Sequence, residues 1–96
     1  MAAYVLVDDD VTDPARFARY RERVLETIER FGGRFLVRGG RHETIEGSWE
    51  PKRIVLIEFP SVAQAKAWYE SPEYQAIIQL RIDSTEMSFF TIIEGV

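Results

Sequence analysis

The sequence predicts an α+β fold in which four strands and two helical regions follow the order β-α-β-β-α-β. Three observations support this prediction. One long segment carries apolar residues at spacings of three and four, as on the buried face of an amphipathic helix. Several short apolar runs are typical of buried strands. Two helix starts are marked by a capping residue followed by proline, at Asp13-Pro14 and Ser71-Pro72.

The first strand is expected at Ala3–Val7, where the chain is apolar. A helix follows, with Asp13 as the N-cap and Pro14 at the first helical position, where the missing N–H costs nothing. Gly32-Gly33 should end this helix, because glycine readily adopts the left-handed conformation found after a helix C-terminus. The buried face consists of apolar residues at helical spacing: Phe17, Tyr20, Val24, Ile28 and Phe31.

The middle of the chain should hold the second and third strands. Phe35–Val37 is the candidate second strand. Gly39-Gly40 predicts a bulge or a sharp bend, after which the strand could resume over Arg41–Glu46. Gly47–Pro51 has the composition of a hairpin connection. The third strand is expected at Ile54–Phe59.

The C-terminal part should hold the second helical region and the last strand. Ser61 followed by Gln64 fits a capping box and starts a helix. Ser71-Pro72 repeats the cap-and-proline signal, so it predicts a break followed by a second helical piece to about Asp83. The last strand is expected at Met87–Glu94. This order is the ferredoxin-like pattern, a four-stranded antiparallel sheet in which the first and third strands are central neighbours and both helical regions cover one face.

The predicted strands are apolar on both faces. In the third strand, Ile54 and Leu56 point to one side of the sheet, while Val55 and Ile57 point to the other. The helices can cover only one side, and the other would expose a large apolar patch in a monomer. We therefore predict a homodimer in which two sheets pack face to face.

Composition limits the classes of function. The chain of 96 residues fits a single domain, 1–96. Its net charge of −4, without a basic cluster, disfavours nucleic-acid binding. The absence of cysteine, with a single histidine, argues against disulfides and a transition-metal site, and no sequence motif indicates a cofactor. No apolar run reaches the roughly 18 residues of a membrane span. The lack of cysteine, and of a basic segment before the apolar N-terminal run, leads us to expect a cytoplasmic protein.

Several segments resemble one bacterial family. GGRFLVRGG (32–40), IEGSWEPKRIVLIEFPS (45–61), AWYESPEYQ (67–75) and IIEGV (92–96) are similar to the family called domain of unknown function 1330. The resemblance covers nearly the whole chain and implies the dimeric α+β barrel superfamily, hence a dimer, but no activity. That superfamily includes cofactor-independent quinol monooxygenases, haem-degrading monooxygenases and muconolactone isomerases. In several of these a ligand lies between the helices and the sheet of one subunit.

His42 and Glu58 are the candidate catalytic residues. His42 is the only histidine, and so the only side chain with an ordinary pKa near neutrality. Its alternative role is that of a solvated strand residue. Glu58 interrupts the apolar third strand, where a carboxylate must be paired or have a raised pKa. A structural ion pair with Arg38, Arg53 or Arg81 is the alternative for Glu58.

Five side chains are candidates for ligand binding. Arg38 lies beside the glycine bend and could hold a carboxylate through two parallel hydrogen bonds, or pair with an internal acid. Trp68, Tyr69 and Tyr74 cluster around the predicted helix break and could line the mouth of a pocket. Packing in the core or in a dimer is their alternative role. Tyr4, on the first strand, could also face a pocket.

Two further features lie outside the predicted elements. Asp8, Asp9 and Asp10 follow the first strand, and consecutive strand residues point in opposite directions. The three carboxylates therefore cannot converge on one cation, and we expect a solvated strand end. Trp49 lies in the connection before the third strand, and we expect it to insert against a partner subunit.

These observations leave two main classes of function open. The first is a protein that binds a small molecule between the helices and the sheet. The second is a cofactor-independent oxygenase or isomerase that acts on a small aromatic or carbonyl compound. In that case His42 or Glu58 would move a proton and Arg38 would hold an anionic group. A third alternative is an assembly scaffold without a pocket.

Overall fold

The computed structural model describes the whole chain, residues 1–96. It contains four strands and four helices, in the predicted β-α-β-β-α-β arrangement with the second helical region divided into three. They are β1 (Ala3–Val11), α1 (Pro14–Arg30), β2 (Arg34–Arg38), β3 (Ile54–Phe59), α2 (Val62–Glu70), α3 (Pro72–Gln75), α4 (Ile78–Ser84) and β4 (Thr85–Glu94). All strand pairs are antiparallel, in the order β2-β3-β1-β4, so β1 and β3 are central as predicted. None of the helices combines the length and the apolar character needed to cross a membrane.

Local signals determine where α1 begins and ends. The Asp13 side chain accepts a hydrogen bond from the Arg16 backbone N–H at 3.1 Å, and Pro14 occupies the first helical position. Gly32, with φ of 77°, ends the helix in the left-handed conformation that glycine tolerates best. The predicted amphipathic face packs on the sheet, with Ile28 fully buried.

The second helical region breaks where the sequence predicts, but it breaks twice. Ser61 and Ser71 each accept a hydrogen bond from the backbone N–H three residues later, at 3.1 Å, and so cap α2 and α3. The prediction of one continuous piece after Pro72 was wrong. The Ile77 N–H bonds to the Tyr74 carbonyl, which tightens the last turn of α3 before α4 starts.

The edge strand β2 is shorter than the sequence suggested. Its bulge lies between Phe35 and Val37, and the strand does not resume over Arg41–Glu46. Gly39, with φ of 72°, donates a backbone hydrogen bond to the Ile54 carbonyl at 2.8 Å. The chain then leaves the sheet as an irregular connection, 40–53, which we call the long loop. The predicted hairpin in this region is therefore replaced by a loop without strands.

The two faces of the sheet have different surroundings. The helices cover one face and, with it, bury a cluster of 13 residues that forms the core. The opposite face, which we call the outer face, is open and apolar. Leu6 pairs with Leu56 on this face, and Phe89 beside them is 56% exposed. The prediction that both faces are apolar is thus met, and the outer face is left without cover in one chain.

Candidate functional site

A chain of buried polar side chains runs through the layer between helices and sheet. The Arg81 guanidinium donates to the Ser88 hydroxyl at 2.6 Å and to the Tyr74 hydroxyl at 3.2 Å. Ser88 donates a short hydrogen bond to the Asp9 carboxylate. The Tyr74 and Tyr20 hydroxyls lie 2.8 Å apart. This polar chain joins β1, β4, α4, α3 and α1, and it satisfies groups that would be costly to bury alone.

Strand alternation places Asp9 in this layer. β1 continues beyond Val7 to Val11, so Val5, Val7 and Asp9 point to the same side, towards the helices. Asp9 is only 3% exposed. The expectation of a solvated strand end was therefore wrong, because β1 continues past Val7 to Val11 and turns Asp9 towards the helices. The alternation from Val5 onward is the signal that could have identified Asp9.

Asp8 points to the outer face and fixes the end of the long loop. Its carboxylate accepts hydrogen bonds from the backbone N–H groups of Lys52 and Arg53, at 2.9 and 3.2 Å. It also accepts one from the indole N–H of Trp49 at 3.1 Å. These three donors explain how a nearly buried carboxylate is tolerated on the outer face. In this structure Trp49 thus contacts its own chain through Asp8.

The surroundings shift the pKa values of the polar chain. Burial raises the pKa of Asp9 above its ordinary value, although the hydrogen bond from Ser88 and the nearby charge of Arg81 act in the opposite direction. Burial, followed by the proximity of Tyr74, raises the pKa of Tyr20 well above 10. Burial also raises the pKa of Tyr74. Among the ionisable side chains of this polar chain, only Asp9 has a pKa that is shifted towards neutral pH.

A narrow cleft, which we call the arginine cleft, opens beside this chain under α1. Its free volume is about 20 Å³, close to what one water molecule needs. Apolar side chains form most of its wall, and charged groups lie at its floor and rim. Its lining residues are Val7, Asp9, Phe17, Tyr20, Arg21, Val24, Phe35, Arg38, Arg53, Val55, Ile57 and Phe90.

The rim of the cleft carries three arginines that form no salt bridge. The Arg38 guanidinium lies over the Phe35 ring at 4.3 Å and donates to the Arg21 carbonyl at 2.8 Å. The Arg53 guanidinium lies 5.1 Å from the centre of the Phe17 ring. None of the three arginines is in a salt bridge. Burial, and then the neighbouring charge of Arg21, lowers the pKa of both Arg38 and Arg53.

Gly39 allows two of these arginines to approach each other. A side chain at position 39 would come within 2.8 Å of Arg53 Nε, so only glycine leaves the Arg53 side chain in place. The positive φ of Gly39 also favours glycine at this position. The glycine bend predicted from the sequence thus positions Arg38 and Arg53 at one end of the cleft.

An apolar groove of about 200 Å³ lies at the other end of the layer, beside the edge strand β4. Five residues line it: Val5, Trp68, Tyr69, Phe90 and Ile92. Phe90 also lines the arginine cleft, so one ring separates the two spaces. The Arg81 guanidinium, which belongs to the polar chain, lies 4.2 Å from the centre of the Phe90 ring. Phe90 therefore contacts both the polar chain and the groove.

The structure separates the candidate catalytic residues from both spaces. His42 is exposed in the long loop. Glu58 points to the outer face and accepts a hydrogen bond from Arg34 Nε at 2.8 Å, an ion pair with a residue that the sequence analysis had not considered. Arg34 and Glu58 are opposite each other in the β2–β3 pair, which explains the contact. Tyr4 pairs with Glu58 in the sheet and shares the outer face.

The other candidates lie on the helical side of the sheet. Arg38 is at the rim of the cleft, and Tyr74 belongs to the polar chain. Trp68 and Tyr69 line the apolar groove, and Trp68 is also a fully buried core residue. The aromatic side chains pack together around the helix break, and the Trp68 and Tyr74 ring centres are 4.3 Å apart. The structure contains no group of three or more acidic or histidine side chains that could hold a metal ion.

Comparison of the sequence with family models gives one match. The model described as "Domain of unknown function (DUF1330)" matches residues 2–96. No match is found among curated proteins.

Comparison of the fold with solved structures gives many similar chains, three of which are informative. A protein of unknown function from Rhodopseudomonas palustris is 18% identical with a TM-score of 0.81, over 99% of this chain and 82% of that one. A dimeric ferredoxin-like protein of unknown function from Jannaschia sp. CCS1 is 15% identical with a TM-score of 0.66, over 99% and 100%. SnoaB, a cofactor-independent oxygenase from Streptomyces nogalater, is 14% identical with a TM-score of 0.62, over 99% and 92%. At these identities the likeness concerns the ferredoxin-like fold.

Proposed function

Since this chain belongs to the family described as Domain of unknown function (DUF1330), which brings a fold but no activity, we propose that it binds a small molecule between its helices and its sheet. The observation that carries this proposal is the arginine cleft. Three arginines line the cleft at partly or fully exposed positions, and two buried residues, Asp9 and Tyr20, line it as well. A concave site with apolar walls and a few converging polar groups is the usual form of a small-molecule site.

The unpartnered arginines support a binding role over a structural one. Arginines that serve stability generally pair with a carboxylate, as Arg34 does with Glu58. Arg38 and Arg53 instead lie near Arg21: burial, and then repulsion by Arg21, lowers the pKa of each, and repulsion by Arg38 adds to the effect on Arg53. A ligand with negative charge density would relieve that repulsion. The cleft holds about 20 Å³, so the proposal requires the partly exposed side chains of Arg38 and Arg53 to move outward when a larger molecule binds.

The proposal predicts that the native protein is stabilised by small aromatic acids or phenols. A panel of benzoate, phenylacetate, benzenesulfonate and phenol, tested by thermal unfolding, should contain at least one compound that raises Tm. At a concentration about ten times Kd, the expected rise is roughly 5–10 °C. Arg38→Gln should weaken the binding about tenfold or more, because it removes a charge-assisted contact.

Arg19→Gln is the matched control for this experiment. Arg19 is an exposed arginine of α1 that does not line the cleft, so its replacement removes the same charge without touching the site. It should leave both Tm and the ligand response nearly unchanged. A panel in which every compound leaves Tm unmoved, or equal losses in Arg38→Gln and Arg19→Gln, would count against the proposal.

We also propose a homodimer formed through the outer faces of two sheets. The open face presents Leu6, Leu56, Met87 and Phe89, and a hollow of about 400 Å³ lies between this face and Trp49. Apolar surface of this kind is rare on monomers. The Jannaschia protein of similar fold is described as dimeric, which supports the same assembly here.

Light scattering should give a mass close to twice the 11.1 kDa of one chain. Phe89→Asp places a charge in the middle of the outer face and should shift the mass to that of a single chain. Leu25→Asp is the control, because Leu25 is 39% exposed on α1, away from the outer face, and its replacement should leave the dimer intact. A native mass near 11.1 kDa at micromolar concentration would overturn the dimer proposal.

The alternative of a cofactor-independent oxygenase or isomerase has less support within the chain. His42 and Glu58, the residues expected to move a proton, both lie outside the cleft. SnoaB is described as a cofactor-independent oxygenase, but it shares only the fold with this chain at 14% identity. Binding is therefore the function that the geometry supports best.

A further inference from the structure

We propose that the ligand of the arginine cleft is a small organic acid, held as its anion by Arg38 and Arg53, and that binding places a proton on Asp9. This inference rests on the proposed binding function and adds the chemical class of the ligand. It also adds a specific role for Asp9, which no sequence motif indicated.

The rim of the cleft matches an anion better than a neutral molecule. Arg38 and Arg53 come together at one end, where Gly39 gives them room. Guanidinium groups recognise carboxylates and similar oxyanions through two parallel N–H bonds. The Arg38 and Arg53 guanidiniums lie over aromatic rings, at 4.3 and 5.1 Å, which favours the charged groups at this end of the cleft.

The hydroxyl of Tyr20 offers a further donor on the floor of the cleft. Tyr74 already accepts a hydrogen bond from Arg81, so it can donate its own proton to Tyr20 across the 2.8 Å contact. The proton of Tyr20 is then available to an oxygen atom in the cleft. The walls beyond these polar groups are apolar, and only the Phe90 ring separates them from the apolar groove. An acid with a flat apolar body therefore matches these walls better than a polyanion, and its body would need the adjoining groove of about 200 Å³, since the cleft itself holds about 20 Å³.

An ionised Asp9 would repel an anion in the cleft, whereas a protonated Asp9 would not. Its carboxyl lines the same cleft and is 3% exposed, so water screens its charge poorly. A second negative charge that enters the cleft disfavours the ionised form of Asp9, and the water that the ligand expels acts in the same direction. The side chain accepts from Ser88, and its other oxygen is free to hold a proton.

The charges that face Asp9 determine how strong this effect is. Arg53 and Arg81 favour its ionised form, whereas the neighbouring Asp8 disfavours it. Arg21 and Arg38 lie at the rim, where a bound anion would neutralise part of their field. Tyr20 stays neutral, because its own pKa is well above 10. An anion thus weakens the cationic groups that keep Asp9 ionised, and binding should take up a proton.

Benzenesulfonate is the best probe, because its own charge is constant across the useful pH range. Titration calorimetry between about pH 5 and pH 8 should show tighter binding at the acidic end. The gain should be about tenfold for each unit by which the bound anion raises the pKa of Asp9. Measurements in two buffers with different ionisation heats should show net proton uptake. This readout uses the native protein and needs no variant.

Asp9→Asn should remove the pH dependence and bind tightly throughout, since the amide oxygen can still accept from Ser88. Asp10→Asn is the matched control, because Asp10 lines the hollow on the outer face, and it should keep the native pH profile. If Asp9→Asn does not fold, Ser88→Ala serves instead. It removes the donor that stabilises the ionised carboxylate and should move the profile to higher pH.

The possible outcomes separate the two proposals. Binding of benzenesulfonate with no pH dependence and no proton uptake would overturn the role of Asp9 and leave the binding function intact. Binding of phenol alone, with no response to any anion, would overturn the ligand class. A panel without any binding compound would overturn the binding function itself.

Discussion

Replacing Trp68 with alanine is expected to lower the free energy of unfolding by about 3–5 kcal/mol. The Trp68 side chain has no exposed surface, and its ring lies between Phe59 and Tyr74, with centre-to-centre distances of 5.4 and 4.3 Å. Its indole N–H donates to the Thr27 hydroxyl at 2.9 Å, so the substitution also leaves that hydroxyl without its donor. Removal of the largest core side chain creates a cavity that rigid helices around it cannot fill.

Urea denaturation at a fixed protein concentration measures this loss, and Trp49→Ala is the control. Trp49 is 55% exposed and contributes one hydrogen bond to Asp8, which keeps two backbone donors in its absence. The control should cost about 1 kcal/mol or less. If Trp68→Ala does not fold, Trp68→Phe retains most of the ring and should cost about 1–2 kcal/mol. Equal effects at the two tryptophans would show that the α2 packing contributes little.

The second large effect is expected for Arg81→Met, which should cost about 3 kcal/mol near neutral pH. Methionine approximates the volume of the arginine stem, but it donates no hydrogen bonds. Ser88 and Tyr74 would each lose a donor, and the buried Asp9 carboxylate would lose the cation that most favours its ionised form. Asp9 in the variant should therefore have a pKa raised further than in the native protein.

The sign of the pH dependence follows from this shift. An acid whose pKa is raised on folding binds a proton more readily in the folded state, so its contribution to stability falls as pH rises. The destabilisation by Arg81→Met should thus be greatest at neutral pH and shrink as the pH falls through the raised pKa of Asp9. Urea denaturation at several pH values tests this expectation. A destabilisation that is constant with pH would contradict it.

A double substitution checks that the effect passes through Asp9. Asp9→Asn combined with Arg81→Met should cost less than the sum of the two single substitutions, because no buried charge is then left without its partner. Strict additivity would mean that Arg81 stabilises the protein through its other contacts, such as those with Tyr74 and the Phe90 ring, and not through Asp9.

The parts of the fold that the sequence predicted correctly depend on short-range signals. Asp13 and Ser71 cap helices through the backbone N–H three residues later, and proline follows each of them. The apolar run Ile54–Phe59 predicts a central strand that is apolar on both faces. Both kinds of signal lie within a few residues, so a single sequence is enough to read them.

The candidate site was harder to predict because its contacts join distant segments. Asp9 and Ser88 are separated by 79 positions, and Asp8 and Lys52 by 44. The sequence also did not indicate which arginine pairs with Glu58. Arg34 lies opposite Glu58 because of the register of the β2–β3 pair, which shifts at the bulge between Phe35 and Val37. Arg38 lies beside the glycine bend, as the sequence predicts, but its neighbours Arg53 and Arg21 are evident only in three dimensions.

The two carboxylates of β1 also bear on how the strand finds its place in the sheet. Val5 and Val7 are interchangeable to the core, so a slip of β1 by two residues would keep an apolar side chain facing the helices. The same slip would carry Asp8 away from its three N–H donors and Asp9 away from Ser88. Each displaced carboxylate would then be buried without partners, at a cost of several kcal/mol. The acidic pair thus favours the native register of β1 over a register shifted by two residues, whereas hydrophobic burial alone would leave the two nearly equal in energy.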